Sequence, residues 1–258
     1  FQTLDTASAV LFTSAFGSNA NYVGELTISG GEFKHASDTQ EMIVDHYDES
    51  NKGNAVVTGG KFDADISKYI PTDYVQSADG TVEKLGETNA VAKVGGTYYK
   101  TLADAVAAAQ DGDTITLLKD AELTSTLNLA KNITIDGQGK YTIKAANSFT
   151  VGSDNKTYCV LYVSGEVTLK DVTVNGNEKC RVIFCDKGKL TIDGATITNG
   201  KAPNFIGGVY MTSSASFEMK SGSITGNKNA KGYPNDENLQ YSSDLWIGAN
   251  ANGALTAI

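Results

Sequence analysis

The stretch Leu190-Thr-Ile-Asp-Gly-Ala-Thr-Ile-Thr-Asn-Gly200 is one copy of a motif that recurs through the second half of the chain. Related copies begin at Asn132, Val167 and Phe217. The copies that begin at Val167, Leu190 and Phe217 follow one another at spacings of 23 and 27 residues. Self-similarity at this spacing indicates about one three-sided coil of short strands per repeat, with loop insertions absorbing the variation. The sequence therefore predicts an all-β fold, a parallel β-helix or solenoid.

Alternation within each copy predicts which side chains enter the core. Leu190, Ile192 and Ile197 are expected to point inward. Thr191 is expected to point outward, and the bend is expected at Asp193-Gly194. A leucine-rich horseshoe would show the L-x-x-L-x-L consensus, and a β-sandwich would not explain copies of one motif at coil-length spacing.

One stretch, residues 101–112, has the pattern of a short amphipathic helix instead. Thr101 can cap it, and Asp104 lies in the first turn, where the helix dipole favours a carboxylate. Asp111-Gly112 is the expected stop. The apolar residues on one face are Leu102, Val106 and Ala109. Because the first coil of a solenoid has an open core and open backbone groups, we predict that this α-helix caps the stack.

The first 90 residues contain a second repeat. Segment 25–33, Glu-Leu-Thr-Ile-Ser-Gly-Gly-Glu-Phe, matches segment 54–62, Asn-Ala-Val-Val-Thr-Gly-Gly-Lys-Phe, at a spacing of 29 residues. In each copy an alternating strand ends at a Gly-Gly turn followed by phenylalanine. Phe33 and Phe62 are therefore expected in a core shared by adjacent coils.

The following segment, 61–85, breaks this period. Pro71 blocks a central ladder position, and Asp79-Gly80 is typical of a hairpin turn, so this segment is predicted to close the first module. We therefore predict two domains. Residues 1–88 form the C-terminal part of a β-helical module, and residues 89–258 form a helix-capped parallel β-helix module.

Composition limits the classes of partner. The 258 residues include 21 Lys and Arg against 30 Asp and Glu, giving a net charge of -9 at pH 7, and Arg181 is the single arginine. Binding nucleic-acid phosphates needs clustered Lys and Arg, so no nucleic-acid partner is expected. No run of 18 apolar residues occurs, so no membrane insertion is expected either. Because the chain begins at Phe1 without methionine or a signal segment, we expect a fragment of a longer protein.

The three cysteines, Cys159, Cys180 and Cys185, lack the C-x-x-C spacing of a zinc site. Cys180 and Cys185 are five residues apart in an extended segment, roughly 16 Å at ~3.3 Å per residue, which excludes a bond between them while the strand is intact. A bridge between Cys159 and Cys180 stays open. Cys185 aligns with inward positions of neighbouring copies, so we expect it to face the interior and resist alkylation.

Two longer segments carry a resemblance to a known family. They are Gly59-Gly-Lys-Phe-Asp-Ala-Asp-Ile-Ser-Lys-Tyr-Ile-Pro71 and Val94-Gly-Gly-Thr-Tyr-Tyr-Lys-Thr-Leu-Ala-Asp-Ala-Val-Ala-Ala-Ala109, followed by Thr-Ile-Asp-Gly repeats. Together they resemble the right-handed parallel β-helix modules, of pectin-lyase-like fold, in large surface proteins of gut Firmicutes. The resemblance covers essentially the whole chain but rests on turns and caps. It implies an exported, adhesin-like protein at the bacterial cell surface, with tandem modules as neighbours in the same chain.

Similar β-helices include polysaccharide lyases and galacturonases, so a carbohydrate-active enzyme is the alternative function. A lyase needs a cationic base or charge stabiliser, and an inverting hydrolase needs two acids about 6.5–9.5 Å apart. Arg181 is the single arginine, and His35 and His46 both precede the helix and so lie outside the regular β-helix. Asp136 and Asp193 align at one turn, but the coil between them has lysine there. We predict no catalytic residue, cofactor or metal, and a non-catalytic adhesion or glycan-binding module.

Two polar patterns each have a structural and a ligand-binding interpretation. Asn177, Asn199 and Asn227 fall at or within one position of the same corner, where side-chain amides can hydrogen-bond along a stack, and this interpretation is preferred to metal or ligand contact. Asp111-Gly-Asp113 and Asp236-Glu237 could bind calcium, but they lack the ligand series of known calcium loops, so solvated turns are preferred.

Outward threonines form a third pattern. Thr134, Thr168, Thr191 and Thr196 could form a flat array of the kind that ice-binding β-helices use. Threonine is also simply a good strand residue, and Glu218 interrupts one column. The array is therefore predicted to be ordinary strand surface.

A row of aromatic residues is the main candidate binding surface. Four strands carry an aromatic between two apolar residues, and alternation places these aromatics on the outer face, about 4.8 Å apart from coil to coil. We name them the aromatic row: Tyr162, Phe184, Tyr210 and Trp246. Aromatic rings suit the C–H faces of sugars, so the expected partner is a glycan, or else a host or bacterial surface protein. Packing of the row beneath the first module or a long loop such as 228–243 stays open.

Overall fold

The protein is mostly β-structure, its strands pair largely in parallel, and the described residues contain one short α-helix. The computed structural model describes residues 9–13, 24–35, 41–45, 53–202, 206–229 and 244–248. The chain divides into two compact units, Phe1–Asn89 and Ala90–Ile258. The sequence placed this division between residues 88 and 89.

The first unit contains two parallel strand pairs and a closing hairpin. Its strands are β1 (Ala9–Phe12), β2 (Glu25–Phe33), β3 (Glu41–Val44), β4 (Asn54–Phe62), β5 (Tyr74–Gln76) and β6 (Thr81–Lys84). A short 3-10 turn spans Ser67–Tyr69. β1 pairs with β3 and β2 with β4, both in parallel. The strand pairs thus follow the order expected of successive repeats.

The repeat in the first unit is visible as direct pairing between β2 and β4. Glu25 faces Asn54 and Phe33 faces Phe62, as the sequence spacing predicts. The two phenylalanine rings are buried and stack with their centroids 4.8 Å apart. A Cβ atom on Gly59 would lie 2.3 Å from the Ser29 carbonyl oxygen, so the close approach of the strands requires glycine there. The predicted shared core around these rings is confirmed.

The closing segment is an antiparallel addition to this sheet. β6 pairs antiparallel with both β4 and β5. At the connecting turn, Gly80 N donates to Ser77 O at 2.9 Å, and Asp79 accepts a hydrogen bond from Thr81 N at 3.1 Å. The hairpin predicted at Asp79-Gly80 is therefore confirmed, and it interrupts the parallel pairing of the repeats.

The second unit begins with a hairpin and the helix, and continues as short strands. Its first elements are β7 (Ala92–Val94), β8 (Thr97–Tyr99), α1 (Leu102–Ala108), β9 (Thr114–Leu117), β10 (Ala121–Leu123), β11 (Leu127–Leu129), β12 (Ile133–Asp136) and β13 (Thr142–Ala145). The next are β14 (Cys159–Val163), β15 (Glu166–Lys170), β16 (Thr173–Asn175), β17 (Arg181–Cys185) and β18 (Gly188–Thr198). The last are β19 (Lys201–Ala202), β20 (Val209–Met211), β21 (Ala215–Thr225), β22 (Lys228–Asn229) and β23 (Leu245–Ile247).

Successive strands of the second unit pair in parallel across one repeat. One sheet has the order β11-β14-β17-β20-β23. In another, β9, β12, β15 and the first half of β18 form one run, while β10, β13, β16 and the second half of β18 form the next. β21 pairs with both halves of β18. Each repeat thus adds one strand to each of three parallel ladders.

The bend predicted inside β18 is present as a register shift. The ladder between β18 and β21 slips at Asp193, and Gly194 has a φ of +79°. The positive φ favours glycine here, and a Cβ atom on Gly194 would also lie 2.1 Å from Asp171 Oδ1 in the turn between β15 and β16, so that carboxylate would have to move. Leu190, Ile192 and Ile197 are fully buried on either side of this bend, which confirms their predicted inward orientation.

The helix α1 contributes to the same core as these strands. Thr101 Oγ1 accepts a hydrogen bond from Asp104 N at 3.0 Å, so the predicted cap is confirmed. The predicted end is wrong, because the helix stops at Ala108, and Ala109 already has extended ψ of 147°. Asp113 accepts a hydrogen bond from Gln110 N at 2.7 Å, which holds the chain in a turn before Asp111-Gly112 is reached. The buried helix residues in this core are Leu102, Ala105 and Val106, followed by Ala109.

Candidate functional site

The four residues of the aromatic row lie in one continuous ladder. Tyr162 pairs with Phe184, Phe184 with Tyr210, and Tyr210 with Trp246. The ring centroids of Tyr162 and Phe184 are 6.0 Å apart, and those of Phe184 and Tyr210 are 5.4 Å apart. Aromatic pairs at such distances contribute roughly 0.5–1.5 kcal/mol beyond their burial. The rings thus support one another along the stack.

Exposure differs along the row. Tyr162, Tyr210 and Trp246 are half-buried, whereas Phe184 is only 4% exposed. The sequence left open whether the row is exposed or covered, and at Phe184 the structure shows that it is covered. The row is an outward ladder whose centre is covered and whose remaining rings keep partial access to solvent.

Arg181 is the main cover over the centre of the row. Its guanidinium carbon lies 4.8 Å from the Tyr210 ring centroid and 5.9 Å from that of Phe184. Nε donates to Ile206 O at 2.9 Å, and Nη1 donates to Asn155 Oδ1 at 3.1 Å. The side chain is 2% exposed, and burial lowers its pKa. The single arginine therefore joins two loops to the aromatic ladder.

A second cation lies at the Tyr162 end. Lys156 Nζ is 5.5 Å from the Tyr162 ring centroid and forms an ion pair with Asp186 at 3.1 Å. The Tyr162 hydroxyl donates to the same carboxylate at 3.4 Å. The hydrogen bond to Asp186 raises the pKa of Lys156. The half-exposed Tyr162 ring is thus bordered by polar groups that can exchange hydrogen bonds with a ligand.

The cysteines lie behind this surface. Cys159, Cys180 and Cys185 are all free and buried. Burial raises the pKa of each thiol to about 12, which disfavours the reactive thiolate. The structure thus has no bridge between Cys159 and Cys180, which the sequence left open. Cys185 pairs with Val163 and Met211 in the ladder, and its inward position is confirmed.

A second outward row runs along the sheet that contains β12, β15 and β18. Thr134 pairs with Thr168, and Thr168 pairs with Thr191, and we name these three residues the threonine row. Thr191 pairs in turn with Glu218, where the column ends as the sequence predicted. The row lines a shallow groove of about 290 Å³.

The acids that aligned in the sequence are engaged in ion pairs. Asp136 pairs with Lys170 across the β12-β15 ladder, with Nζ and Oδ2 2.8 Å apart. Burial raises the pKa of Asp136, but hydrogen bonds from Lys170 and from Gln138 N outweigh burial, and the pKa lies below its ordinary value. Asp193 lies 3.8 Å from Lys220. The lysine that interrupts the acid column thus neutralises Asp136.

The asparagine corner is held by backbone contacts. Asn177 Nδ2 donates to Ala145 O at 3.0 Å and to Asn147 Oδ1 at 3.1 Å. Asn227 is buried, and its Oδ1 accepts from Gly200 N at 2.8 Å. These bonds fit the structural interpretation of the corner, although they join amides to backbone groups more than to one another.

The remaining polar candidates also have structural partners where they are described. Asp111 accepts a hydrogen bond from Asn132 N at 2.8 Å. His35 Nδ1 lies 2.9 Å from Asp63 Oδ1. His46 and Asp236-Glu237 lie outside the described residues. Among the residues that are described, no group of three or more His, Cys, Asp or Glu is arranged to hold a metal ion.

Comparison of the chain with protein-family models, with curated proteins and with solved structures gave no match. Within the described ranges, no helix is long and apolar enough to cross a membrane.

Sequence reasoning missed the role of Arg181. The sequence suggested only an isolated cation, considered for catalysis, whereas in the structure Arg181 is buried against the rings of Phe184 and Tyr210. A usable signal was present, because Arg181 opens the apolar strand Arg-Val-Ile-Phe-Cys. A buried cation in such a strand needs either an acidic partner or the face of an aromatic ring, and Phe184 lies three residues after Arg181 in the sequence.

Proposed function

We propose that residues 89–258 form a right-handed parallel β-helix capped by α1, and that residues 1–88 end a similar module. Three parallel ladders, each extended by one strand per repeat, support this architecture. The contribution of α1 to the core of the second unit supports its role as a cap. The proposed capping role predicts that the core behind β9 depends on the helix.

Its function is non-catalytic glycan binding or adhesion at a bacterial cell surface, as part of a larger exported protein. The observation that carries this proposal is the aromatic ladder, in which half-exposed Tyr162 and Tyr210 flank the buried Phe184. Sugar rings present apolar C–H faces that lie flat on aromatic rings, and tyrosine hydroxyls can bond sugar hydroxyls. Asp186 and Lys156 add hydrogen-bonding groups beside Tyr162.

The state of the aligned acids supports binding over catalysis. A general acid works best with its pKa raised toward the operating pH. Asp136 has its pKa below the ordinary value and is held by Lys170. An inverting pair would also need room for a water between its carboxyl groups. In the ladder, Lys170 pairs with Asp136 on one side and with Gly194 on the other, because the register shift in β18 takes Asp193 out of line with Asp136.

A glycan array with the parent protein tests this proposal, followed by affinity measurements for Tyr210→Ala and Trp246→Ala. We expect the array to select a glycan, and each substitution to weaken binding at least about tenfold, equivalent to ~1.4 kcal/mol. Tyr98→Ala is the matched control, because Tyr98 is a half-buried aromatic in β8, outside the row.

Melting temperatures measured in parallel separate binding from packing. Weaker glycan binding at an unchanged melting temperature supports the aromatic row as a binding surface. A large fall in melting temperature without selective loss of binding would mean that the row serves packing. If the parent protein binds no glycan on the array, the proposal is contradicted.

A further inference from the structure

The groove over the threonine row has the features of a second binding site. The three threonines follow one another in direct ladder pairing, so their side chains repeat at the strand spacing of about 4.8 Å. Gly112 and Asn132 line one end of the groove, and Glu218 and Lys220 line the other. The groove volume of about 290 Å³ is near the lower end of small-molecule sites.

The hydroxyl groups of this row are available to a ligand. Within the described ranges, the side-chain oxygens of Thr134, Thr168 and Thr191 have no hydrogen-bond partner. Thr191 is only 5% exposed, yet the same part of the chain contains no buried side-chain oxygen that lacks a partner. The remaining exposure of Thr191 must therefore include its hydroxyl, which faces the groove. A ligand hydroxyl in the groove can therefore reach this group and replace the water that would otherwise bond to it.

The charges around the groove select against a charged ligand. Its charged lining residues are Glu166, Lys189, Glu218 and Lys220, two of each sign. Lys189 and Glu218 form an ion pair at 2.5 Å, and the hydrogen bond from Lys189 lowers the pKa of Glu218. Lys220 also lies 3.8 Å from Asp193. The walls are thus polar, and their formal charges sum to zero.

We propose that this groove binds an uncharged, hydroxyl-rich chain, namely a neutral polysaccharide that lies along the threonine row. Each threonine hydroxyl can donate one hydrogen bond and accept others, which matches the hydroxyl groups of a sugar. The two lysines and two glutamates that line the groove offer further donors and acceptors and together carry no net charge. This site is separate from the aromatic row, and its occupancy does not depend on that row.

Titration calorimetry with soluble neutral β-glucan, mannan and xylan tests the groove, each compared with its carboxymethylated derivative. The variant is the double substitution Thr168→Val and Thr191→Val, which keeps the shape of both side chains and removes both hydroxyls. Thr142→Val and Thr173→Val together form the control, because these paired outward threonines lie on β13 and β16, away from the groove. Tyr210→Ala reports on the aromatic row separately.

We expect at least one neutral polymer to bind, its carboxymethylated form to bind at least tenfold more weakly, and the double variant to lose at least tenfold in affinity with unchanged melting. Absence of binding by every neutral polymer would overturn the inference, as would equal affinity of parent and double variant. Loss of binding in Tyr210→Ala alone would overturn the groove while supporting the aromatic row. Loss in the double variant alone would support the groove and show that Tyr210 takes no part in binding that polymer.

Discussion

The aromatic row and the threonine row are both outward columns of the second unit, and both follow the ladder register. Each has one buried member, Phe184 at 4% exposure and Thr191 at 5%, but the two rows differ in what their side chains contact. Arg181, which Asn155 holds by a hydrogen bond, lies over the centre of the aromatic row. The threonine row keeps its hydroxyls free along a shallow groove. Strand alternation therefore decides which side of the sheet a residue takes, and the loops decide whether it is exposed. We expect the effect of a substitution to follow burial rather than strand position.

The largest effect is expected at the core that lies behind both rows. Val106 is 7% exposed and packs in the same core as the strands. Val106→Asp places a carboxylate without a partner in this apolar contact, and several kcal/mol of unfolding free energy should be lost. Urea unfolding followed by circular dichroism measures the change.

Ala103→Asp is the matched control, because Ala103 is exposed in the first turn of the same helix. A change within about 0.5 kcal/mol is expected there. If Val106→Asp unfolds at the same urea concentration as the parent, α1 does not cap the core.

The next effect is expected in the covered row. Arg181→Ala removes two hydrogen bonds and two cation–ring contacts and uncovers Phe184, so a loss of about 2–3 kcal/mol is expected. Lys187→Ala is the control, because Lys187 is exposed two residues after the end of the same strand. Equal unfolding midpoints for the two variants would show that Arg181 does not hold the row.

A smaller and pH-dependent effect is expected at the ion pair beside the threonine row. The pKa of Asp136 in the folded protein lies below its ordinary value of 3.8, so the stabilisation is present above that value and is lost as the pH falls through the lower folded pKa. Lys170 is 46% exposed, so solvent screening limits the pair to about 0.5–1 kcal/mol. The stability difference between parent and Asp136→Asn should therefore shrink below about pH 4.

Glu122→Gln is the control for this pH series, because its ion pair with Lys144 is long, at 3.9 Å, and exposed. The difference between parent and Glu122→Gln should stay close to zero across the same range. If the stability difference between parent and Asp136→Asn does not change with pH, the ionised Asp136 carboxylate is not stabilised by Lys170.

The smallest effect is expected on the threonine row itself. Thr168→Val keeps the shape of an outward, half-buried strand residue and should change stability by less than about 0.5 kcal/mol. The adjacent inward residue gives the contrast, because Val167→Thr puts a hydroxyl into the core and should cost about 1–3 kcal/mol. Equal thermal denaturation of the two variants would contradict the assigned strand faces.

Much of the local structure could be predicted because it depends on neighbours in the sequence. The pairing of Phe33 with Phe62 followed from the repeat spacing, and the Thr101 cap followed from the residue types at the start of the helix. The end of the helix was misplaced because it depends on the Asp113 side chain, which competes for the backbone before glycine is reached. Local patterns therefore gave registers and caps more accurately than the points where elements end.

The exposure of the candidate site could not be predicted in the same way. Alternation placed Phe184 outward, but its ring lies beneath Arg181, which is held by Asn155 from a loop of another repeat. Likewise, alternation placed Thr191 outward, yet this residue is only 5% exposed and pairs with Glu218 of the next repeat. These contacts join residues that are distant in sequence, so no spacing rule reports them.

The most direct test of the proposed function is to measure binding and turnover together on one panel of polysaccharides, with and without calcium. We expect saturable binding and no formation of unsaturated or reducing ends in either condition. Saturable turnover that is abolished by changing one acidic residue, such as Asp136 or Asp193, would contradict the account and identify a carbohydrate-active enzyme.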